Sequence, residues 1–497
     1  MPEYLAPGVY VEEIPSPVSP IAGVGTSTVG FLGIAERGSM GPRLITRVQE
    51  YGRWFGGYLR EGSQDRYLAY AIDGFFLNGG KRCYVARVAS KAATAAAYTF
   101  GGTIRVEAIG PGAWGNRISV EVGTTSSGAS GSASVSGAGP FKLIVRYWAS
   151  GVPGNGQPTV QEDYTISSSA QGAVGSLEDL IMGASCLVTV NWVGAAGRPA
   201  DSAPILLQGG SDGPGPAEQD FKDALDRLEG IDEISLLCAP DENQFPRVTG
   251  YLLDQCEKLR DRFAILQAPL AIADIGQHQP PRDSTFGAYY LPWLRIQHPE
   301  TKKEQVIPPG GHLAGIYART DSERGVHKAP ANEVIYGLLV NSHDQGRGLV
   351  VQVARPVQEG LNSRGVNVLR CFPGRGYRVW GARTMSTDQE WRYINVRRLA
   401  IFLEQSIARG LHWVAVESNH EPLWAQVRRS IDDFLTGVWR RGMLQGAKPA
   451  AAFFVKYDAT TMTQDDIEKG RLVALIGIAP LKPAEFLIFK IVLQTGS

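Results

Sequence analysis

The chain has 497 residues, more than one hydrophobic core organises, so several domains are expected. Its 49 Lys and Arg balance its 49 Asp and Glu, which excludes a global field drawing it to nucleic acid or to an anionic membrane. Hydrophobic and charged fractions of 43% and 20% are those of an ordinary globular chain, and 59 glycines favour turns and β-structure.

The five cysteines (Cys83, Cys186, Cys238, Cys256, Cys371) are odd in number, far apart and without a CxxC spacing, so neither a zinc site nor a disulfide framework is expected. The start, MPEYLAPGVYVEE, carries acids and prolines where a signal peptide has basic residues and an apolar core. No apolar run is long enough to span a bilayer. The expectation is a protein made in a reducing cytoplasm, without membrane insertion.

In chain order, residues 4–20 form a proline-rich arm. Within it GVYVEEI, residues 8–14, is a strand candidate with Val9 and Val11 opposite Tyr10 and Glu12. Pro15, Pro17 and Pro20 keep the following chain extended. Two readings stand: a disordered leader, or a strand on a semi-rigid tether offered to a sheet edge. VGFLGIA (29–35), a helix over 67–77 and RCYVARV (82–88) then give a β-α-β order. AAYTF, TIRVEAI, NRISVEV, FKLIVRYW and CLVTVNWV are short alternating strands separated by Gly/Ser clusters, which predicts a β-rich insertion over 89–204.

The α/β pattern resumes with a helix over 218–228 that sets Phe221, Ala224, Leu225 and Leu228 on one face. A strand over 233–239, a helix over 247–260 and a strand over 263–266 follow. Pro280, Pro281, Pro292, Pro299, Pro308 and Pro309 mark a loop-rich stretch. The predicted partition is an arm and linker (1–25), a discontinuous α/β middle domain (26–88 and 205–367), the insertion, and a C-terminal α/β unit (368–497).

In that last unit Thr387 and Glu390 have capping-box spacing, opening a helix that runs to Arg409 and stops at Gly410. LHWVAVE (411–417) reads as a strand. Asn419 caps a second helix with Leu423, Val427, Ile431, Phe434, Leu435 and Val438 on its apolar stripe. Strands over 450–457 and 470–478 lead to AEFLIFKIVLQ. There Phe486, Ile488 and Val492 alternate with Leu487, Phe489, Ile491 and Leu493, so both faces require burial. A free end of this kind is an aggregation hazard unless its own domain or another subunit covers it.

Signals for chemistry are sparse. Gly209 to Gly213 (GGSDG) matches the G-x-S-x-G nucleophile elbow, with Ser211 as nucleophile, but Pro214 and Pro216 follow where a helix should begin. The seven histidines show no HExxH or HxxxH spacing, and there is no Walker A motif. No catalytic, cofactor-binding or metal-ligating residue is expected. Arg428, Arg429 and Arg440 line the second C-terminal helix, either as a solvated face paired with Asp432 and Asp433 or as a charged contact to a partner.

Several stretches in one order resemble the tail sheath proteins of contractile phage tails and contractile injection systems. They are YLAPGVYVEEI (4–14), PGAWGNRISVEV (111–122), GGHLAGIYARTDSERGVHKAPAN (310–332), GYRVWGARTMSTDQEWRYINVRRLAIFLEQSI (376–407) and PAEFLIFKI (483–491). The resemblance implies a multidomain α/β (α+β) fold whose C-terminal sheath core domain is completed by strands donated from neighbouring subunits. Val9, Tyr10, Val11, Glu12 and Ile14 would form one donated strand and Phe486, Leu487, Ile488, Phe489 and Ile491 the other. The prolines and Gly23 to Gly25 would be the hinge, and Arg428, Arg429 and Arg440 candidate contacts to the tube.

It further implies a structural subunit, not an enzyme, without cofactor. Such subunits stack in six-fold rings around an inner tube protein, with baseplate and terminator proteins as further partners. They assemble in the bacterial cytoplasm into a metastable extended sheath of a phage tail or tail-like particle, whose contraction drives the tube through a target envelope. The alternatives are a serine hydrolase using Ser211 and a non-contractile phage-like structural protein.

Overall fold

The computed structural model describes residues 20–61, 64–124, 141–150, 153–166, 177–193, 199–340, 346–417, 421–456, 471 and 473–483. The chain divides into two compact units, Gly25–Arg398 and, from both ends of the chain, Met1–Val24 with Leu399–Ser497.

The larger unit opens with β1 (Val29–Ile34), β2 (Arg43–Ile45), α1 (Val48–Phe55), the small hairpin β3 (Arg60–Glu61) and β4 (Gln64–Asp65), α2 (Leu68–Leu77) and β5 (Cys83–Val88). There follow β6 (Ala97–Phe100), β7 (Ile104–Ala108), β8 (Ile118–Thr124), β9 (Phe141–Tyr147), β10 (Val160–Ile166), α3 (Leu177–Ile181), β11 (Val188–Trp192) and β12 (Ser202–Leu206). The rest is α4 (Glu218–Glu229), β13 (Leu236–Cys238), α5 (Val248–Leu259), β14 (Phe263–Gln267), β15 (Gly287–Leu291), β16 (Leu294–Gln297), β17 (Glu304–Ile307), α6 (Gly310–Arg324), α7 (Arg355–Ser363), β18 (Val366–Phe372) and β19 (Gly376–Trp380).

Its main sheet has the order β19-β18-β15-β14-β13-β1-β5-β2. The strands from β18 to β5 run parallel, and β19 and β2 close the two edges antiparallel. Every residue of β1, β13, β14 and β15 is buried, as a parallel sheet covered on both faces requires. Phe221, Ala224, Leu225 and Leu228 of α4 are buried as their spacing predicts. The strands β6 to β12 stay out of this sheet and form two small antiparallel ones, β10-β9-β8-β12 and β11-β7-β6.

Helices α2 and α6 meet backbone to backbone. A Cβ on Gly311 would overlap the Ala71 main chain, and one on Gly315 would come within 2.9 Å of Asn78 Cβ. Glycine there is a steric requirement. The first turn of α6 is held by Gln267, whose Oε1 accepts from Gly310 N at 2.9 Å. Near its other end Asp321 accepts from the Arg398 guanidinium at 2.6 and 2.9 Å, and both side chains are at most 3% exposed. Arg398 also donates to the Thr26 carbonyl.

Open parallel sheets bind ligands at the carboxyl ends of the strands, where the strand order reverses. Here that place, beside β1 and β13, is filled by the protein itself. Buried Asp241 accepts from Ile34 N and Tyr67 N. Buried Glu242 accepts from Gln267 N and Nε2 and from the Thr249 hydroxyl. Burial pushes the Asp241 carboxyl up to about 6 and the Glu242 carboxyl up to about 7, against their hydrogen-bond donors.

In the second unit lies the part of α8 (Ile394–Gly410) from Leu399 onward, with α9 (Glu421–Arg440), α10 (Pro449–Ala452), β20 (Phe453–Lys456) and β21 (Leu475–Ile478). The predicted stripe of α9 is buried at Leu423, Val427, Ile431, Phe434, Leu435 and Val438. Phe434 and Phe402 of α8 bring their rings to 6.2 Å.

Several expectations are corrected. The proline-rich stretch contains β15, a central strand, because Pro292 falls just after its last residue. Thr387 does not cap a helix; its backbone N–H and hydroxyl both donate to Asp283, and α8 begins at Ile394. His412–Val416 is a 3-10 turn, not a strand. The chain over 450–457 starts as α10 before β20, and β21 spans only Leu475–Ile478 within the predicted 470–478. The C-terminal unit was expected from residue 368, yet β18 and β19 belong to the main sheet and the division falls at Leu399.

Two measurements check this account. Gly311→Ala lowers stability by about 1–3 kcal/mol in urea unfolding, whereas Gly250→Ala on α5, with open space around it, raises it by about 0.4–1 kcal/mol; equal effects would refute the steric reading of α6. Glu242 holds its proton more tightly folded than unfolded, so its stabilising contribution is full below its ordinary value of 4.5 and is lost as pH rises to about 7. The urea midpoint of Glu242→Gln therefore falls less than that of the parent across this window, and parallel slopes would remove the buried carboxyl as the cause.

Candidate assembly surface

Ser211 and a cluster of charged side chains around a cleft are the places to look for chemistry. Ser211 is exposed in a tight turn, where its Oγ accepts from Gly213 N and its main chain pairs with Thr94. No helix follows it; α4 begins only at Glu218. An open cleft of about 970 Å³ lies between the main sheet and the β6–β12 region, lined in part by Glu36, Arg37, Arg87, Arg117 and Tyr147. These charged side chains are engaged by the protein itself. Arg37 donates to the Arg53 and Gly52 carbonyls, Arg87 to those of Ala35, Gly38 and Pro111, and Arg117 to that of Ala149. Glu36 accepts from Gly57 N and the Tyr147 hydroxyl. His312 is buried between α2 and α6, and desolvation lowers it to about 4, keeping it neutral. No cluster of three or more metal-ligating side chains exists among the described residues, and none of the described helices is long and apolar enough to cross a membrane.

The surface of the second unit has a different character. Strands β20 and β21 pair antiparallel, Phe453 with Ile478 and Lys456 with Leu475. One face turns inward through buried Val455. The other carries Phe454 and Leu475, 54% and 53% exposed, with the Phe454 ring lying over Gly477. Among the described residues this sheet has only these two strands. A two-stranded sheet is marginal by itself in water, and its exposed apolar face adds to the deficit. The run AAFFVKY carries the signal for this face, two adjacent aromatics that alternation along a strand places on opposite sides.

Arg428, Arg429 and Arg440 lie on the exposed face of α9. Arg428 approaches Asp432 at 3.6 Å across one helical turn, the solvated pairing expected of such a face. The proposed donated residues, Val9, Tyr10, Val11, Glu12 and Ile14 with Phe486, Leu487, Ile488, Phe489 and Ile491, lie outside the described residues, as does Asn419.

The described root of the arm corrects the expected hinge at Gly23 to Gly25. Ile21 is buried and packs on Gly410, where a Cβ would meet it at 2.7 Å. A Cβ on Gly23 would meet the Phe402 ring at 2.9 Å. Val24 N donates to the buried Ser406 Oγ at 3.1 Å. Residues 21–24 are docked on α8, and only Gly25 has open space around it.

Comparison with known proteins covers the whole chain. A model described as the phage tail sheath protein central domain matches residues 215–385, and one described as the phage tail sheath C-terminal domain matches 386–494. A prophage major tail sheath protein of Pseudomonas aeruginosa is 23% identical over 357 residues, covering 67% of this chain and 86% of that protein. The tail sheath protein of Vibrio phage KVP40 is 27% identical over 188 residues, 37% of this chain and 26% of its own length.

Among solved structures, the sheath of the PVC extracellular contractile injection system in its contracted state aligns with a TM-score of 0.60 at 22% identity, over 100% of this chain and 99% of that one. The contracted helical sheath of the anti-feeding prophage gives 0.60 at 23% over 98% of each. The sheath tail protein of Listeria innocua gives 0.61 at 13% over 93% and 96%. With two contiguous family models spanning residues 215–494 and a fold shared from end to end with sheath subunits, the chain belongs to the phage tail sheath family.

Proposed function

We propose that this protein is the structural subunit of a contractile sheath surrounding the inner tube of a phage tail or a phage tail-like injection system. The observation that carries the reading is the chain-long likeness to sheath subunits, joined to a second unit whose sheet has only two strands among the described residues. The role is mechanical and non-catalytic. Subunits stack in rings, engage a tube and a baseplate, and assemble in the bacterial cytoplasm before the particle acts.

In this reading strands from neighbouring copies complete the β20–β21 sheet. One comes from residues 8–14 and the other from the apolar end around 486–491. Each apolar side chain fully buried in this way contributes about 1.5–3 kcal/mol, and ladder hydrogen bonds add register. Several such side chains hold a subunit to its neighbour while the rest of the molecule changes packing, a rigid-body transition between two arrangements. In this reading the β6–β12 region is the inserted outer domain, which its separation from the main sheet into two small antiparallel sheets supports. Arg428, Arg429 and Arg440 face the tube, supported by their exposure along one side of α9.

Deleting residues 1–15 or 484–497 leaves folded subunits or small oligomers in place of long striated tubes under the electron microscope. Full-length tubes from either truncated chain would end the strand-donation reading. Reversing charge at Arg429 and Arg440 to Glu lowers co-sedimentation of sheath with tube, most strongly at low salt where such contacts are least screened. Unchanged co-sedimentation would move the tube contact to another surface.

A further inference from the structure

We infer that residues 21–24 form a seat that clamps the root of the N-terminal arm to α8, so that Gly410 and Ser406 act as positioning residues setting the free length of that arm. This rests on the sheath reading only for its mechanical consequence; the seat itself stands on geometry within one compact unit.

Three contacts converge on two turns of α8. Ile21 fills the space that a side chain at Gly410 would take, with its Cγ1 and Cγ2 at 2.7 and 2.8 Å from an ideal Cβ there. Gly23 lies against the Phe402 ring, which a larger residue there would have to displace. Ser406 donates to the Phe402 carbonyl at 2.6 Å, which orients its Oγ to accept from Val24 N at 3.1 Å. Ser406 is fully buried, so the Val24 N–H has exchanged water for a fixed acceptor. The sequence Ile-Ala-Gly-Val therefore alternates an apolar anchor, a close-approach glycine and a backbone donor.

The consequence is a tether of defined length. Five residues lie between Ile14 and Pro20, and the six steps reach at most about 22 Å at roughly 3.3–3.6 Å per residue. Releasing residues 21–24 adds four residues, about 13–14 Å of slack. A strand donated at 8–14 transmits force promptly only while the seat holds.

The test uses the full-length subunit and thermolysin, which cuts before large apolar residues such as Ile21 and Val24. Cleavage at these two bonds is slow in the parent. Gly410→Val expels Ile21 and raises the rate about tenfold or more. Ser406→Ala adds no bulk, removes the acceptor of Val24 N, and raises the rate several-fold. Gly437→Ala on α9, where the added methyl meets open space, leaves it unchanged. Tryptophan fluorescence in urea confirms that the variants compared are folded. Cutting of the parent as fast as in an unfolded chain, or parent-like rates in both seat variants, overturns the inference. A protected segment in subunits that build no tubes rejects the sheath reading and keeps the seat; an unprotected one in subunits that do build tubes rejects the seat alone.

Discussion

The larger unit depends on how closely α6 can lie against the rest of it. Gly311 and Gly315 remove the side chains that would hold α6 off α2. Once seated, the helix touches every layer. Its first turn hangs from Gln267, which also donates to the Ala239 carbonyl and to Glu242. Its middle places the Tyr317 hydroxyl 2.7 Å from that of Tyr290 on β15. Its end carries Asp321, paired with Arg398 in a site almost without water. Such a pair costs desolvation to form but far more to break, because the survivor is left charged and buried. The strand ends, the helix layer and the last residues before Leu399 are thus fixed by one element. The stretch GGHLAGIYARTDSER is a packing motif whose small residues have a steric reason.

The same logic separates what was legible from what was not. Strands β1, β5 and β14 and helices α2, α4 and α5 follow from periodicity, because each has one uniform environment. β15 was hidden by flanking prolines that punctuate the strand without entering it. Thr387 satisfied a local capping rule but found a better acceptor in Asp283, more than a hundred positions away in sequence; no local pattern announces that. β10, VQEDYTI, escaped because its acidic residues look exposed. Glu162 is in fact buried, accepting from Ser185 Oγ, Cys186 N and the Tyr164 hydroxyl. For the assembly surface, the family resemblance gave the class of protein. The docking of residues 21–24 was not readable, because glycines that serve close approach and glycines that serve freedom are the same letters.

The β6–β12 region is tied to the body by polar contacts. Tyr147 on β9 donates to Glu36 beside β1, and Arg37 lies 5.1 Å from the Tyr147 ring. Glu162 on β10 approaches Arg53 of α1 at 3.7 Å. Arg43 stacks on Trp54 and donates to the Gly183 carbonyl. The region lies inside the same compact unit as the main sheet.

The two-stranded β20–β21 sheet also bears on how much of this protein a cell can hold unassembled. A subunit with Phe454 and Leu475 uncovered presents to other copies the kind of apolar sheet that pairs wrongly as well as rightly. The rate of correct pairing depends on how many growing ends are available, and the rate of wrong pairing rises with the square of the free subunit concentration. The concentration at which free copies are held thus becomes part of the folding problem.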